Sequence, residues 1–173
     1  MINIVLFEPE IPQNTGNIMR TCAGANTKLH LIEPLGFSLD EKSIKRSGAS
    51  YANLTDYEVY QDFDEFATKN KGIYFFVTRF GKYNYSKVNY NEIKEDIYLV
   101  FGSESRGIAS NILKENFERC LRVPMSDKIR TLNLANTVSI VLYEVLRQHD
   151  FEGLFEHEPT KGANYILESD QVM

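Results

Sequence analysis

Three segments of this 173-residue chain gather residue types that can hold a phosphate, a ribose or a polar heterocycle. The first is Asn14-Thr15-Gly16-Asn17-Ile18-Met19-Arg20, with an arginine four residues after the glycine. A guanidinium near a helix N-terminus can meet a phosphate or a ribose, or form a surface ion pair, and the residues alone leave both open. The second is Phe101-Gly102-Ser103-Glu104-Ser105-Arg106-Gly107. Gly102 permits a sharp turn and lets a ligand approach the main chain, and Gly107 can do the same at a helix entrance; a structural strand-to-helix turn is the plain alternative. No Gly-Lys-Ser/Thr follows and the G-x-G-x-x-G pattern is incomplete, so it is neither a Walker loop nor a dinucleotide fingerprint. The third joins Val123-Pro124-Met125 to Arg130-Thr131-Leu132-Asn133-Leu134-Ala135-Asn136, where side-chain amides can face a heterocycle while leucines pack inward. Helix capping by Thr131 or Asn133 is the competing reading.

Other chemistries find no footing. His30 lies in a strand-like run and His149 and His157 border the C-terminal tail, so neither a metal triad nor a Ser/His/Asp site can be assembled from the three segments. Cys22 and Cys120 lie far apart without a C-x-x-C motif, which argues against a zinc site and a disulfide scaffold. Glu104 has no evident carboxylate partner for paired acid/base work. No metal is expected.

The elements that must position these segments alternate. Strand-like apolar runs at residues 2–7, 29–32, 73–77, 97–101 and 120–123 are separated by helical patterns, which predicts an α/β fold with a mostly parallel sheet flanked by helices. In such sheets ligands bind beyond the carboxyl ends of the strands, where all three segments fall. The two prolines of Glu8-Pro9-Glu10-Ile11-Pro12 exclude helix there, and Asn14 or Thr15 is the expected cap of a helix reaching about residue 25. Further helices are expected near residues 40–47, 63–70, 108–116 and 133–149. The last carries an apolar face of Leu134, Val138, Val141, Leu142, Val145 and Leu146, and a second stripe of Asn136, Tyr143 and Arg147, either solvent-facing or part of a site or subunit contact.

The length suits one domain, placed at residues 1–150, with an acidic tail over 151–173. Net charge is -5. Asp150, Glu152, Glu156, Glu158, Glu168 and Asp170 against Lys161 account for it, so the body is neutral and can still carry a basic face. Candidate clusters are Lys42, Lys45 and Arg46, then Arg79, Lys82 and Lys87, then Arg119, Arg122, Lys128 and Arg130; solvated surface is the plain reading of each. No apolar stretch approaches a membrane span, and no basic leader precedes the first strand, so a cytoplasmic protein is expected.

Taken together and in this order, the three segments resemble the SPOUT superfamily of RNA methyltransferases. Residues 1 to about 150 are similar to its small YibK-like branch, the tRNA (cytidine/uridine-34) 2'-O-methyltransferases. Asn3-Ile4-Val5-Leu6-Phe7-Glu8-Pro9-Glu10-Ile11-Pro12 with Asn14, Gly16, Asn17 and Arg20, and Leu31-Ile32-Glu33-Pro34-Leu35-Gly36-Phe37, carry most of the likeness. Gln13, Ser103 and Thr131 depart from it, standing where relatives often have proline, proline and serine.

The resemblance implies a C-terminal deep trefoil knot, the α/β knot of SPOUT proteins, and a homodimer in which each site is completed across the interface. It implies S-adenosyl-L-methionine as cofactor, held by Val77, Thr78, Gly102, Glu104, Val123, Met125, Thr131, Leu132 and Asn136. Asn14, Arg20 and Tyr143 would surround the reacting ribose, with Arg20 the catalytic candidate. Lys45, Arg46, Arg79, Lys82 and Arg106 would meet the tRNA anticodon stem-loop. The expected reaction is 2'-O-methylation of wobble nucleotide 34, cytidine or modified uridine, in leucine tRNA. A non-catalytic RNA-binding or cofactor-sensing protein of the same fold is the alternative.

Overall fold

The computed structural model describes residues 1–39 and 54–168. The helix expected near 40–47, and with it Lys42, Lys45 and Arg46, lies outside the described residues. The remainder forms a seven-stranded sheet: β1 (Ile2–Phe7), β2 (Lys28–Ile32), β3 (Tyr57–Tyr60), β4 (Ile73–Val77), β5 (Tyr83–Asn84), β6 (Ile97–Phe101) and β7 (Cys120–Arg122). Spatial order is β3-β2-β1-β6-β4-β7-β5, and every pairing is parallel. The central pair aligns Ile4 with Leu99 and Val5 with Val100.

Because the sheet is covered on both faces, its central strands are apolar at nearly every position, and alternation sorts their side chains between two cores. Ile4, Leu6, Leu99 and Phe101 face α1 (Pro12–Gly24) and α4 (Leu134–Gln148), meeting Ile18, Met19 and Cys22 from the first and Val138, Val141, Leu142 and Val145 from the second. Val5, Phe7, Phe76, Tyr98 and Val100 face the other way, toward Phe66 of α2 (Phe63–Lys69) and Ile108, just before α3 (Ser110–Glu115). A short α5 (Tyr165–Glu168) follows in the tail, where Leu154 still packs against the α1/α4 core.

Several local expectations shift. Pro12 does not exclude helix but opens α1, because its fixed φ suits the first helical position and its missing N–H removes a donor that would otherwise lack a partner. Asn14 and Thr15 are therefore buried inside the first turn rather than capping it, and Ile11 occupies the N-cap without a side-chain bond. Asn133 does cap α4, its side-chain oxygen accepting from Asn136 N. β3 and β5 went unpredicted because Tyr-Glu-Val-Tyr is half polar and Tyr83–Asn84 is only two residues long.

Candidate functional site

Where β4, β6 and β7 end, the chain leaves a cleft of about 620 Å³, within the range of small-molecule sites. Val77, Phe101, Val123 and Leu132 supply apolar wall, and Thr78, Gly102, Glu104, Met125 and Thr131 line it too, so that of the residues foreseen for the cofactor Asn136 alone is absent from the cleft. Asn14, Arg79 and Arg106 also line it. Arg20, Lys82, Asn136 and Tyr143 do not.

The cleft keeps its shape through a lattice of loop contacts. Glu104 accepts from Glu10 N at 2.9 Å, Ile11 N at 3.3 Å and Asn14 Nδ2 at 2.7 Å. Its negative charge thus lies at the N-terminus of α1, where the helix dipole favours an anion. Glu10 answers in the opposite direction, accepting from Ser105 N at 3.1 Å and Ser105 Oγ at 2.6 Å. Since a carboxylate only accepts, the Asn14 amide nitrogen must face Glu104, leaving its oxygen to accept from Asn133 Nδ2 at 2.9 Å. One polar chain therefore runs Glu104, Asn14, Asn133 and the Asn136 N–H, tying the first turn of α1 to the first turn of α4.

Gly102 is fixed by space. A Cβ there would lie 2.2 Å from the Gly107 carbonyl carbon and 2.3 Å from Ile108 N, so only glycine lets the loop close. Gly107, at φ 72°, returns its N–H to Ser103 O at 2.9 Å. Arg106, foreseen as a phosphate contact, already lies 3.1 Å from Glu8 and 3.8 Å from Glu10 while remaining exposed. Lys82 pairs with Glu118 at 2.6 Å, which raises the lysine pKa and lowers that of the carboxyl.

Arg20 is exposed on α1, six residues beyond Asn14 and so about 9 Å farther along the axis. Tyr143 sits on the outer side of α4, its ring 6.4 Å from that of Phe151, beside a second cavity lined by Ala23, Gly24 and Phe155. Thr21 Oγ1 and Ser139 Oγ approach to 3.4 Å, so the helices carrying Arg20 and Tyr143 touch at this level. The foreseen residues among those described thus fall into a cleft set and an α1/α4 surface set within one chain, with Lys82 in neither. Two partners of the cleft were missed, Glu8 and Glu10, which carry no local mark of pairing with residues nearly a hundred positions away, while Asn133, weighed both as an amide facing a ligand and as a helix cap, caps α4 and bonds Asn14.

Among the described residues no His/Cys/Asp/Glu cluster could hold a metal ion, and no helix is long and apolar enough to cross a membrane. The cleft instead suits a ligand with a flat apolar portion and several polar edges. The Gly102 backbone can be approached closely, Val77, Val123 and Leu132 can enclose faces, and Thr78 and Thr131 offer hydroxyls.

The family model described as the SpoU rRNA Methylase family matches residues 1–143. A Listeria monocytogenes (serotype 4b, strain F2365) protein assigned as a tRNA (cytidine(34)-2'-O)-methyltransferase is 49% identical over 155 residues, covering 89% of this chain and 92% of its own. A solved structure concerned with "2-OH methylation of C/U34 on tRNA" aligns with a TM-score of 0.79 at 37% identity, covering 87% of this chain and 97% of that one. The SpoU methyltransferase AviRb of Streptomyces viridochromogenes, solved in complex with AdoMet, shares the fold at a TM-score of 0.72 and 20% identity, covering 86% of this chain and 57% of that one.

Proposed function

The chain belongs to the SpoU rRNA methylase family, and from that premise we propose that it methylates the ribose 2'-hydroxyl of nucleotide 34 in tRNA, using S-adenosyl-L-methionine. The observation that carries the reading is the cleft itself: three parallel strand ends, a glycine with no room for a side chain, and a polar chain from Glu104 to α4 that holds the surrounding loops. Relatives assigned to cytidine-34 2'-O-methylation over nearly their whole length support the choice of atom and nucleotide.

When bound, the cofactor supplies an electrophilic methyl group on a sulfonium. Val77, Val123 and Leu132 would enclose its adenine, and the main chain near Gly102 would meet its polar edge. The protein's remaining task is to align the ribose hydroxyl, and alignment of this kind removes a large entropic part of a barrier. The Arg20 guanidinium carries hydrogen-bond donors and no acceptor, so its role is to hold the hydroxyl and the adjacent phosphate. Asn14 presents its amide at the cleft, already oriented by Glu104 and Asn133.

Arg20 and Tyr143 stand outside the cleft of their own chain, which supports a homodimer in which a second copy brings them to it. Partly exposed Ile140 and Tyr143 on α4 are the surface such a copy would cover. The same reading places a trefoil knot at the C-terminal end of the residue 1–150 domain. The hydrogen bonds from Thr78 N to Leu121 O and from Lys82 N to Cys120 O, which lay the segment after β4 along β7, are consistent with it. The test is incubation with labelled S-adenosyl-L-methionine and tRNA from cells lacking the activity, followed by mass spectrometry of the product. A 2'-O-methyl group at nucleotide 34 is the expected result; a methyl group elsewhere, or none, overturns the assignment.

A further inference from the structure

Beside the cleft, the β5/β7 edge of the sheet exposes three aromatic rings that the fold holds in place without burying them. Phe80 is 68% exposed, Phe117 50% and Tyr83 42%. The turn carrying Phe80 is fastened at several points. Thr78 N donates to Leu121 O at 2.9 Å, Lys82 N to Cys120 O at 2.9 Å and Gly81 N to Thr78 O at 3.1 Å, and the Arg122 guanidinium donates to Arg79 O. A Cβ on Gly81 would lie 2.1 Å from the Leu121 carbonyl carbon, so the turn rests directly on β7.

Each ring also has a cation above it. The Arg79 guanidinium is 4.4 Å from the Phe80 centroid, and Lys82 Nζ is 5.0 Å from Tyr83 and 5.5 Å from Phe117. Glu118 neutralises part of this charge through Lys82 and the Tyr83 hydroxyl, leaving Arg79 as the cation shared with the cleft. Phe80 lines the cleft as well, so the aromatic strip begins where the methyl acceptor would lie.

We propose that Phe80 with Arg79, continued by Phe117 and Lys82, is a stacking platform for the unpaired bases flanking the methylated ribose; this rests on the proposed reading of the cleft. Apolar rings exposed to water gain by being covered, and a base covers one face to face without requiring a particular sequence. A cation lying over one face of a ring can move to the neighbouring phosphate or remain stacked with the base. Bases in a duplex are already stacked and cannot use the rings, so the platform selects a loop over a stem.

Binding of an RNA stem-loop containing nucleotide 34, and of the same strand annealed to its complement, is measured for wild type, Phe80→Ala, Phe80→Leu, Phe80→Trp and Phe117→Ala. Phe80→Ala is expected to weaken stem-loop binding about tenfold, from the loss of one base–ring stack, and to leave duplex binding unchanged. Phe80→Trp restores the affinity, Phe80→Leu does not, and Phe117→Ala, whose ring lies outside the cleft, also weakens the stem-loop. Unchanged stem-loop binding, or an equal loss on the duplex, overturns the proposal. Direct binding separates the two readings: ring-dependent binding without methyl transfer removes the enzymatic assignment alone, and methyl transfer without ring dependence removes the platform alone.

Discussion

The Glu104 carboxylate receives donors from Glu10, Ile11 and Asn14, so at the residue scale its place is in the cleft's frame. Replacing it by alanine leaves these donors without their charged acceptor, and unfolding in urea should show a loss of about 2 kcal/mol together with weaker cofactor binding. Unchanged stability would mean that the bonds to Glu104 contribute little. Arg20→Ala should nearly abolish methyl transfer while cofactor binding is retained, and turnover at the wild-type rate would remove Arg20 from the mechanism. His30 makes a prediction of its own. Asn3 Oδ1 can only accept, so His30 donates from Nε2 and its Nδ1 accepts from the Tyr60 hydroxyl at 2.8 Å; burial first, and then nearby Lys28, lower its pKa from 6.5 to about 4. The unfolded chain therefore binds a proton that the folded one refuses, so this contribution is full above pH 6.5 and is lost as pH falls toward 4. Between pH 7 and 5 the loss should be about 2 kcal/mol in denaturant titrations, and a His30→Gln variant should lack that component.

At the scale of elements, the β6–α3 loop and the first turn of α1 form one unit held together by Glu10, Glu104 and Ser105. Gly102 is where that unit tolerates least. Gly102→Ala forces the Gly107–Ile108 backbone away, a displacement of the kind that costs about 1–3 kcal/mol, and the affinity for S-adenosyl-L-methionine in calorimetric titration should fall about tenfold or more. Wild-type affinity in this variant would show that the loop closes differently. The strands were legible where both faces are buried: residues 2–7, 73–77 and 97–101 match β1, β4 and β6 residue for residue, because a strand covered on both sides is apolar at nearly every position. The start of α1 was misplaced because Pro12 reads equally as a breaker and as a first helical residue, and only the surrounding packing selects between them.

For the whole molecule, the separation of Arg20 and Tyr143 from the cleft predicts that neither copy works alone. Co-expression of Arg20→Ala with a cleft-blocked Gly102→Val chain should restore about a quarter of wild-type activity, because random pairing leaves one complete site in each mixed dimer. No recovery, with mixed dimers confirmed by mass spectrometry, would place Arg20 in the site of its own chain. Affinity for tRNA should also fall steeply with salt, since contacts from Arg79, Lys82 and Arg106 to phosphates release counterions. Insensitivity to salt would show that those cations do not contact the backbone.

By itself, the order of apolar runs and glycine-bearing loops determined an α/β sheet with those loops at the strand ends, because burial and backbone geometry restrict residue type locally. The resemblance added the expected reaction. Tertiary structure decided the strand order, the pairing of Glu104 with a helix some ninety residues earlier, and the separation of Arg20 and Tyr143 from the cleft. Those outcomes depend on contacts between distant segments, where the free energy belongs to the pair and neither segment alone carries its mark.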